Sequence, residues 1–165
     1  MNQPQSVLAA DATPANKVIN FPTKYGDVEL REDRLLSFPK GLKGLEHWTV
    51  FGLAELEGTP FMLMPSINQP EYTLLIADPE VIGFEYAAAD KAKALAETGF
   101  NAKTTQWVVL VHESRNPKMS AAEEATDDSM FVVANMRAPL LIDTETRMGM
   151  QYIFNSEDYP LQYKL

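Results

Sequence analysis

The 165 residues include no cysteine, which excludes disulfides, thiolate metal sites and cysteine nucleophiles and fits a reducing compartment. No apolar run approaches the roughly 18 residues that mark a membrane-spanning helix. The opening stretch "MNQPQSVLAADATPANK" lacks a basic region of the secretion-signal kind, and its apolar piece "VLAA" is too short for one. Export is therefore not expected, and the cytoplasm is the expected location. Basic residues are also scarce, with 14 Lys and Arg against 23 Asp and Glu and a net charge of −9. Binding a phosphate backbone requires neutralising cations. Here they are scattered over Lys24, Arg31, Arg34, Lys40, Lys43, Arg137 and Arg147, so direct nucleic-acid binding is not expected. An acidic surface suits a basic partner instead.

Reactive constellations are missing as well. The two histidines, His47 and His112, lie far apart and have no companion at metal-ligand spacing. Ser114 lies near His112, but no strand–turn–helix elbow surrounds it. "GLKGLEHW" offers Gly41 and Gly44 but no third glycine and no following Lys-Ser/Thr pair, so it is not a phosphate loop. Glu123 and Glu124 stand in a polar stretch where nothing would raise a carboxyl pKa for acid–base work. No catalytic residue, metal ligand or cofactor is assigned, and enzyme activity is not expected.

What the chain does have is a succession of short apolar runs: "KVINF", "DVEL", "LLSF", "WTVFGL", "FMLM", "YTLLIA", "WVVLVH", "MFVVA", "LLID" and "MQYIF". Their length and their Val, Ile, Phe, Tyr and Trp content favour strands. Tyr25-Gly26-Asp27 reads as a tight hairpin turn, and "TETR" with Gly149 separates the members of a second hairpin. One stretch differs: "EYAAADKAKALAETGF" has helical composition, with Ala88, Ala92 and Leu95 on one face and Gly99 at a C-cap position. Asp78-Pro79 is a second candidate helix start. The reading is an all-β, mainly antiparallel fold, a small β-barrel or sandwich with one or two short helices. Residues 1–16 read as a disordered extension with too little apolar surface to offset ordering entropy, and 17–165 as a single domain.

Two apolar features and one charged stretch are candidate contact sites. In "LLSFPKGLKGLEHWTVFGL", Phe38-Pro39 fixes an extended strand exit, and Gly41 and Gly44 allow two reversals. Leu42 and Leu45 are thereby held at a rigid corner, which is either structural, presenting, or both. Eight methionines form the second feature. Met62 and Met130 sit inside apolar runs and read as core, whereas Met136, Met148 and Met150 flank turns where they can be exposed to a partner. The stretch "HESRNPKMSAAEEATDDSM" joins two buried strands and carries Glu123, Glu124, Asp127 and Asp128. A solvated loop or an electrostatic contact both fit it.

The blocks "TKYGDVEL", "LLSFPKGLKGLE", "FMLMPSINQPEYTLLIADP" and "NMRAPLLIDTETRMGMQYIF" resemble, in order and spacing, the signature blocks of the flagellar assembly factor FliW family. The matching residues are Thr23, Tyr25 and Gly26; Phe38, Pro39, Gly41 and Gly44; Asp78 and Pro79; Asn135, Ala138 and Pro139; and Gly149 and Gln151. Leu45 stands where the family usually has Phe, and Pro65 where it has a polar residue. The resemblance implies a FliW-like β-barrel that works by binding proteins. Such proteins bind CsrA, a basic RNA-binding repressor of translation, and so relieve repression of flagellin synthesis. They also bind flagellin near its chain terminus, so that flagellin level is coupled to flagellin translation. On this reading Leu42, Leu45 and Met136 are apolar contacts, and Glu123, Glu124, Asp127 and Asp128 supply charge. Two rival readings are a small-molecule-binding barrel with a deep polar-lined pocket and an oligonucleotide barrel with aromatics beside a basic groove.

Overall fold

The run "WVVLV" becomes the centre of the fold, inside the eleven-residue strand β8 (Thr105–Arg115). The computed structural model of the chain describes residues 17–69, 71–115 and 130–165. In order these form β1 (Val18–Thr23), β2 (Gly26–Arg31), β3 (Leu36–Ser37), β4 (Val50–Phe51), β5 (Ala54–Glu55), β6 (Phe61–Pro65) and β7 (Thr73–Ala77). Then follow α1 (Ala88–Thr98), β8, β9 (Met130–Ala134), β10 (Leu140–Asp143), β11 (Gly149–Gln151) and β12 (Tyr163–Lys164). Eight strands share one antiparallel sheet in the order β11-β10-β8-β7-β6-β5, with β9 alongside β8 and β12 outside β9. β1 with β2 and β3 with β4 form separate two-stranded ladders.

The all-β expectation holds, but among the described residues no barrel closes. The sheet path ends at β5 and β11, which do not pair; the β3–β4 ladder touches the sheet only through single bridges, Ser37 to Met148 and Phe51 to Ser66. The resulting arrangement has a core on each face of the sheet. Side chains alternate along a strand, so Trp107, Val109 and Val111 enter one core with Tyr86, Ala94, Met136, Leu141, Phe154 and Tyr159. Val108 enters the other with Leu36, Phe38, Leu42, Phe51, Met64, Ile76, Leu140 and Ile142. This explains why the run is continuously apolar: both sides of the strand are covered.

The helix ends where expected, with the Gly99 amide donating to the Leu95 carbonyl at 2.8 Å. Of Ala88, Ala92 and Leu95, expected on one face, only Leu95 packs against the first core; Ala94 is fully buried, while Ala88 and Ala92 are exposed. An alanine-rich helix has no strong apolar stripe, so packing against the bulky Tyr and Trp rings chooses the face. Asp78-Pro79 starts not a helix but one capped turn, in which Asp78 Oδ1 accepts from the Glu80 amide at 2.9 Å. The first hairpin closes at the Thr23–Gly26 pair, leaving Lys24 and Tyr25 at its tip.

Phe38 is completely buried in the second core and meets Phe51 edge to face, with ring centroids 5.6 Å apart. Beneath its ring lies Gly149, where an added Cβ would stand 2.3 Å from the Phe38 ring. Gly149→Ala should therefore lower stability by about 2–3 kcal/mol through overpacking, a fall of roughly 5–10 °C in melting temperature. Phe38→Leu in the same chain should recover part of that loss. Thermal denaturation of the two single variants and the double variant checks this coupling, and strict additivity would contradict it.

Candidate functional site

The corner is the head of the β3–β4 hairpin. The Phe38 amide donates to the Thr49 carbonyl at 2.7 Å, and the Leu45 amide to the Leu42 carbonyl at 2.7 Å. Gly41 sits at φ +64°, and a Cβ there would lie 2.6 Å from the Glu46 backbone, so only glycine fits. The Glu46 carboxylate accepts the Gly44 amide at 2.8 Å, and that bond lowers its pKa below the usual value of 4.5. Inside this frame Leu42 points inward. Outside it, Trp48 stacks on the half-exposed Tyr72 with ring centroids 4.6 Å apart. What the corner presents is this aromatic pair, with the partly buried Leu45 next to Trp48 in sequence reach.

The other signature blocks converge on the same corner. Between β9 and β10, residues 135–139 leave the sheet and return to it, since both strands pair with the same side of β8. Asn135 shapes the excursion by accepting the Arg137 and Ala138 amides at 3.1 and 3.2 Å on Oδ1. The Gln151 side chain then bridges two segments: its Oε1 accepts the Lys43 amide at 2.8 Å, and its Nε2 donates to the Ala138 carbonyl at 3.3 Å. Phe38, Gly41, Gly149, Gln151, Asn135 and Ala138 are thus one connected structural unit.

A second surface lies on the opposite face. Phe84 meets Tyr86 and Tyr163 edge to face, at centroid distances of 5.3 and 5.1 Å. Tyr86 stacks on Phe154 at 5.3 Å, and its hydroxyl donates to the Met136 carbonyl at 2.6 Å. Burial, with Tyr159 alongside, pushes the Tyr86 phenol well above its ordinary pKa, so it remains a donor. Tyr159 accepts the Ala87 amide at 3.2 Å and donates to Asp90 Oδ2 at 2.5 Å; burial first, then this bond, raises its pKa. Three adjoining hollows of about 220, 710 and 360 Å³ share Phe84 and Glu80 and open to solvent as one groove. Asp78, Glu80, Glu85, Asp90 and Asp158 line it, against a single cation, Lys91.

The contact residues expected from sequence fall in three places. Leu42 is 2% exposed and Met136 is fully buried, so the expectation that they are exposed is corrected: one fills the hairpin head and the other the core beneath Tyr86. Leu45 is half-buried against the second core. Glu123, Glu124, Asp127 and Asp128 lie outside the described residues, as do residues 1–16. Of the other methionines, Met148 is exposed and Met150 partly so. Sequence reasoning missed Trp48, Tyr72 and the Phe84 groove. The alternation of acids and aromatics in "DPEVIGFEY" was the available signal for the groove. Nothing in the sequence ties Trp48 to Tyr72.

A sequence model described as "FliW protein" matches residues 21–165. A flagellar assembly factor FliW from Thermosipho africanus (strain TCF52B) is 28% identical over 150 residues, covering 89% of this chain and 95% of that protein. One from Azoarcus sp. (strain BH72) is 30% identical over 133 residues, covering 79% and 87%. A crystal structure of the flagellar assembly factor FliW matches with a TM-score of 0.64 and 25% identity, covering 88% of this chain and 95% of that one.

Two outcomes follow for the corner. Gln151→Ala should cost about 1–2 kcal/mol by leaving two backbone groups without their partner, and amide exchange at Lys43 should accelerate. Unchanged exchange there would contradict the bridge. The Glu46 carboxyl should titrate below 4.5 in a side-chain carbon NMR titration, with the Gly44 amide shift following the same midpoint. Because the folded-state pKa is the depressed one, the bond's contribution is present above the unfolded value and lost as pH falls through the folded one. A midpoint at or above 4.5 would count against it.

Proposed function

The chain belongs to the FliW family of flagellar assembly factors, and from that premise we propose that it is a cytoplasmic protein-binding regulator that engages CsrA and flagellin in turn. Free of flagellin, it holds CsrA away from flagellin messages and so permits translation. When unexported flagellin accumulates, flagellin occupies the regulator in the manner of a chaperone's client, and the released CsrA represses. No step in this scheme requires a bond to be made or broken by the protein.

The observation that carries the reading is the groove around Phe84. It combines an aromatic floor with five carboxylates and one ammonium on a chain of net charge −9. Among the described residues the ion pairs are Arg31–Asp33 and Lys93–Glu97, so the groove's carboxylates have no basic partner within 4.0 Å. Such a surface suits a basic protein, and the attraction mainly speeds encounter and falls with ionic strength. On the other face the half-exposed Tyr72, stacked on the partly buried Trp48, supplies an apolar anchor of the kind that dominates protein interfaces.

The test is direct binding of the purified chain to CsrA and flagellin from the same genome, by calorimetry at 50 and 500 mM salt. Complexes at micromolar concentration or tighter are expected, with the CsrA complex weakening more than tenfold across that salt range. Added flagellin should release CsrA. Absence of a complex with either protein at micromolar concentration removes the reading.

A further inference from the structure

We propose that the groove around Phe84 receives an arginine from a basic segment of a partner protein, in the place that the chain's own Lys91 ammonium occupies over Trp107. This rests on the partner-binding reading above and specifies the chemistry by which that surface would recognise its ligand. Lys91 Nζ stands 5.5 Å from the centre of the Trp107 ring, within the range of cation–π attraction. No carboxylate lies within 4.0 Å of it among the described residues, where the ion pairs are Arg31–Asp33 and Lys93–Glu97. The ring and the surrounding field therefore hold the ammonium in place, not a salt bridge.

The lining of this hollow is already suited to a cation. Trp107, Phe84 and Tyr86 line it together with Asp78, Glu80 and Lys91, and the Trp107 and Tyr86 rings are largely buried. Asp78 is committed, accepting Gln106 Nε2 at 3.0 Å and the Glu80 amide at 2.9 Å. Glu80, Glu85 and Asp158 are exposed carboxylates along the continuing groove, free to meet further basic residues of the same segment. A guanidinium exceeds an ammonium here for physical reasons. It is planar, stacks on an indole face, is more weakly hydrated, and offers paired donors to a carboxylate. Lys91 is tethered to the first half of α1 and must swing out to solvent when an arginine enters. It acts as a placeholder that the partner displaces, so its removal strengthens binding instead of weakening it.

Affinities for peptides and for intact CsrA and flagellin are measured on the full chain with Trp48 intact, and Trp48→Phe, which leaves Trp107 as the only tryptophan, is used for the fluorescence readout alone. The probe is a capped heptapeptide, Ala-Lys-Leu-Arg-Leu-Lys-Ala, compared with versions carrying citrulline or lysine in place of the arginine. Calorimetry gives affinity, and Trp107 fluorescence reports occupancy of the slot. The arginine peptide should shift Trp107 emission and bind at least tenfold more tightly than the citrulline peptide, with the lysine peptide between them. Lys91→Met should tighten arginine-peptide binding three- to tenfold. Lys93→Met makes the same charge change on an exposed position of the same helix and should alter affinity less than twofold. Equal effects of the two substitutions overturn the proposal, as does binding that leaves Trp107 emission unmoved, or no binding at millimolar peptide. Lys91→Gln, which keeps a polar side chain, serves as the second variant and should also tighten binding. Intact CsrA and flagellin separate the two levels: binding of either that is indifferent to Lys91→Met rejects the slot and leaves the regulator. Peptide binding without either protein partner rejects the regulator and leaves the slot.

Discussion

The carboxamide of Gln151 joins segments that are otherwise far apart in the chain, accepting from Lys43 in the hairpin head and donating to Ala138 in the excursion between β9 and β10. Much of the molecule hangs on that excursion. Residues 135–139 interrupt the pairing along β8, and the backbone groups freed there become acceptors and donors for Tyr86 and the C-terminal segment, which cover part of the first core. The Met136 carbonyl takes the Tyr86 hydroxyl, the Met136 amide reaches Pro160, the Arg137 carbonyl takes the Phe154 amide, and the Pro139 carbonyl takes the Tyr152 amide. Arg137 Nε also donates to the Tyr159 carbonyl at 2.9 Å. A continuous strand could not do this, since its groups would be spent within the sheet.

The two faces of β8 are consequently different materials. The face holding Phe38, Leu42 and Phe51 is wholly apolar and closed by the hairpin head, with Gly149 admitting the Phe38 ring. The face holding Trp107, Tyr86 and Tyr159 is aromatic and carries hydroxyls, each directed to a named acceptor. Phenols permit a core that grades into a wet groove, because each ring has one apolar body and one polar end. That grading is why the acidic concavity lies over Phe84 and not over Phe38.

Much of this was legible in the residues. Strand positions followed from β-branched and aromatic runs, β8's burial on both sides from its unbroken apolar run, and the helix end from Gly99. The corner was legible as a double reversal because Pro39, Gly41 and Gly44 each constrain the backbone locally. What was not legible depended on contacts distant in sequence. Leu42 and Met136 look exposable beside glycines and turns, but their burial is decided by the second core and by Tyr86, respectively. Trp48 and Tyr72 meet across 24 residues, and the groove assembles from β7's exit, α1, β8 and the C-terminal segment. Whether the sheet closes also depends on edge partners, and no local pattern states that β1 to β4 pair among themselves.

The sheet's margins have a bearing on how such a molecule can associate. Its outer strands are short, with β5 and β12 of two residues and β11 of three. Margins this brief offer a visiting chain almost no ladder to extend, which protects against runaway stacking of copies. Any association at these margins therefore rests on side-chain contacts and not on strand addition.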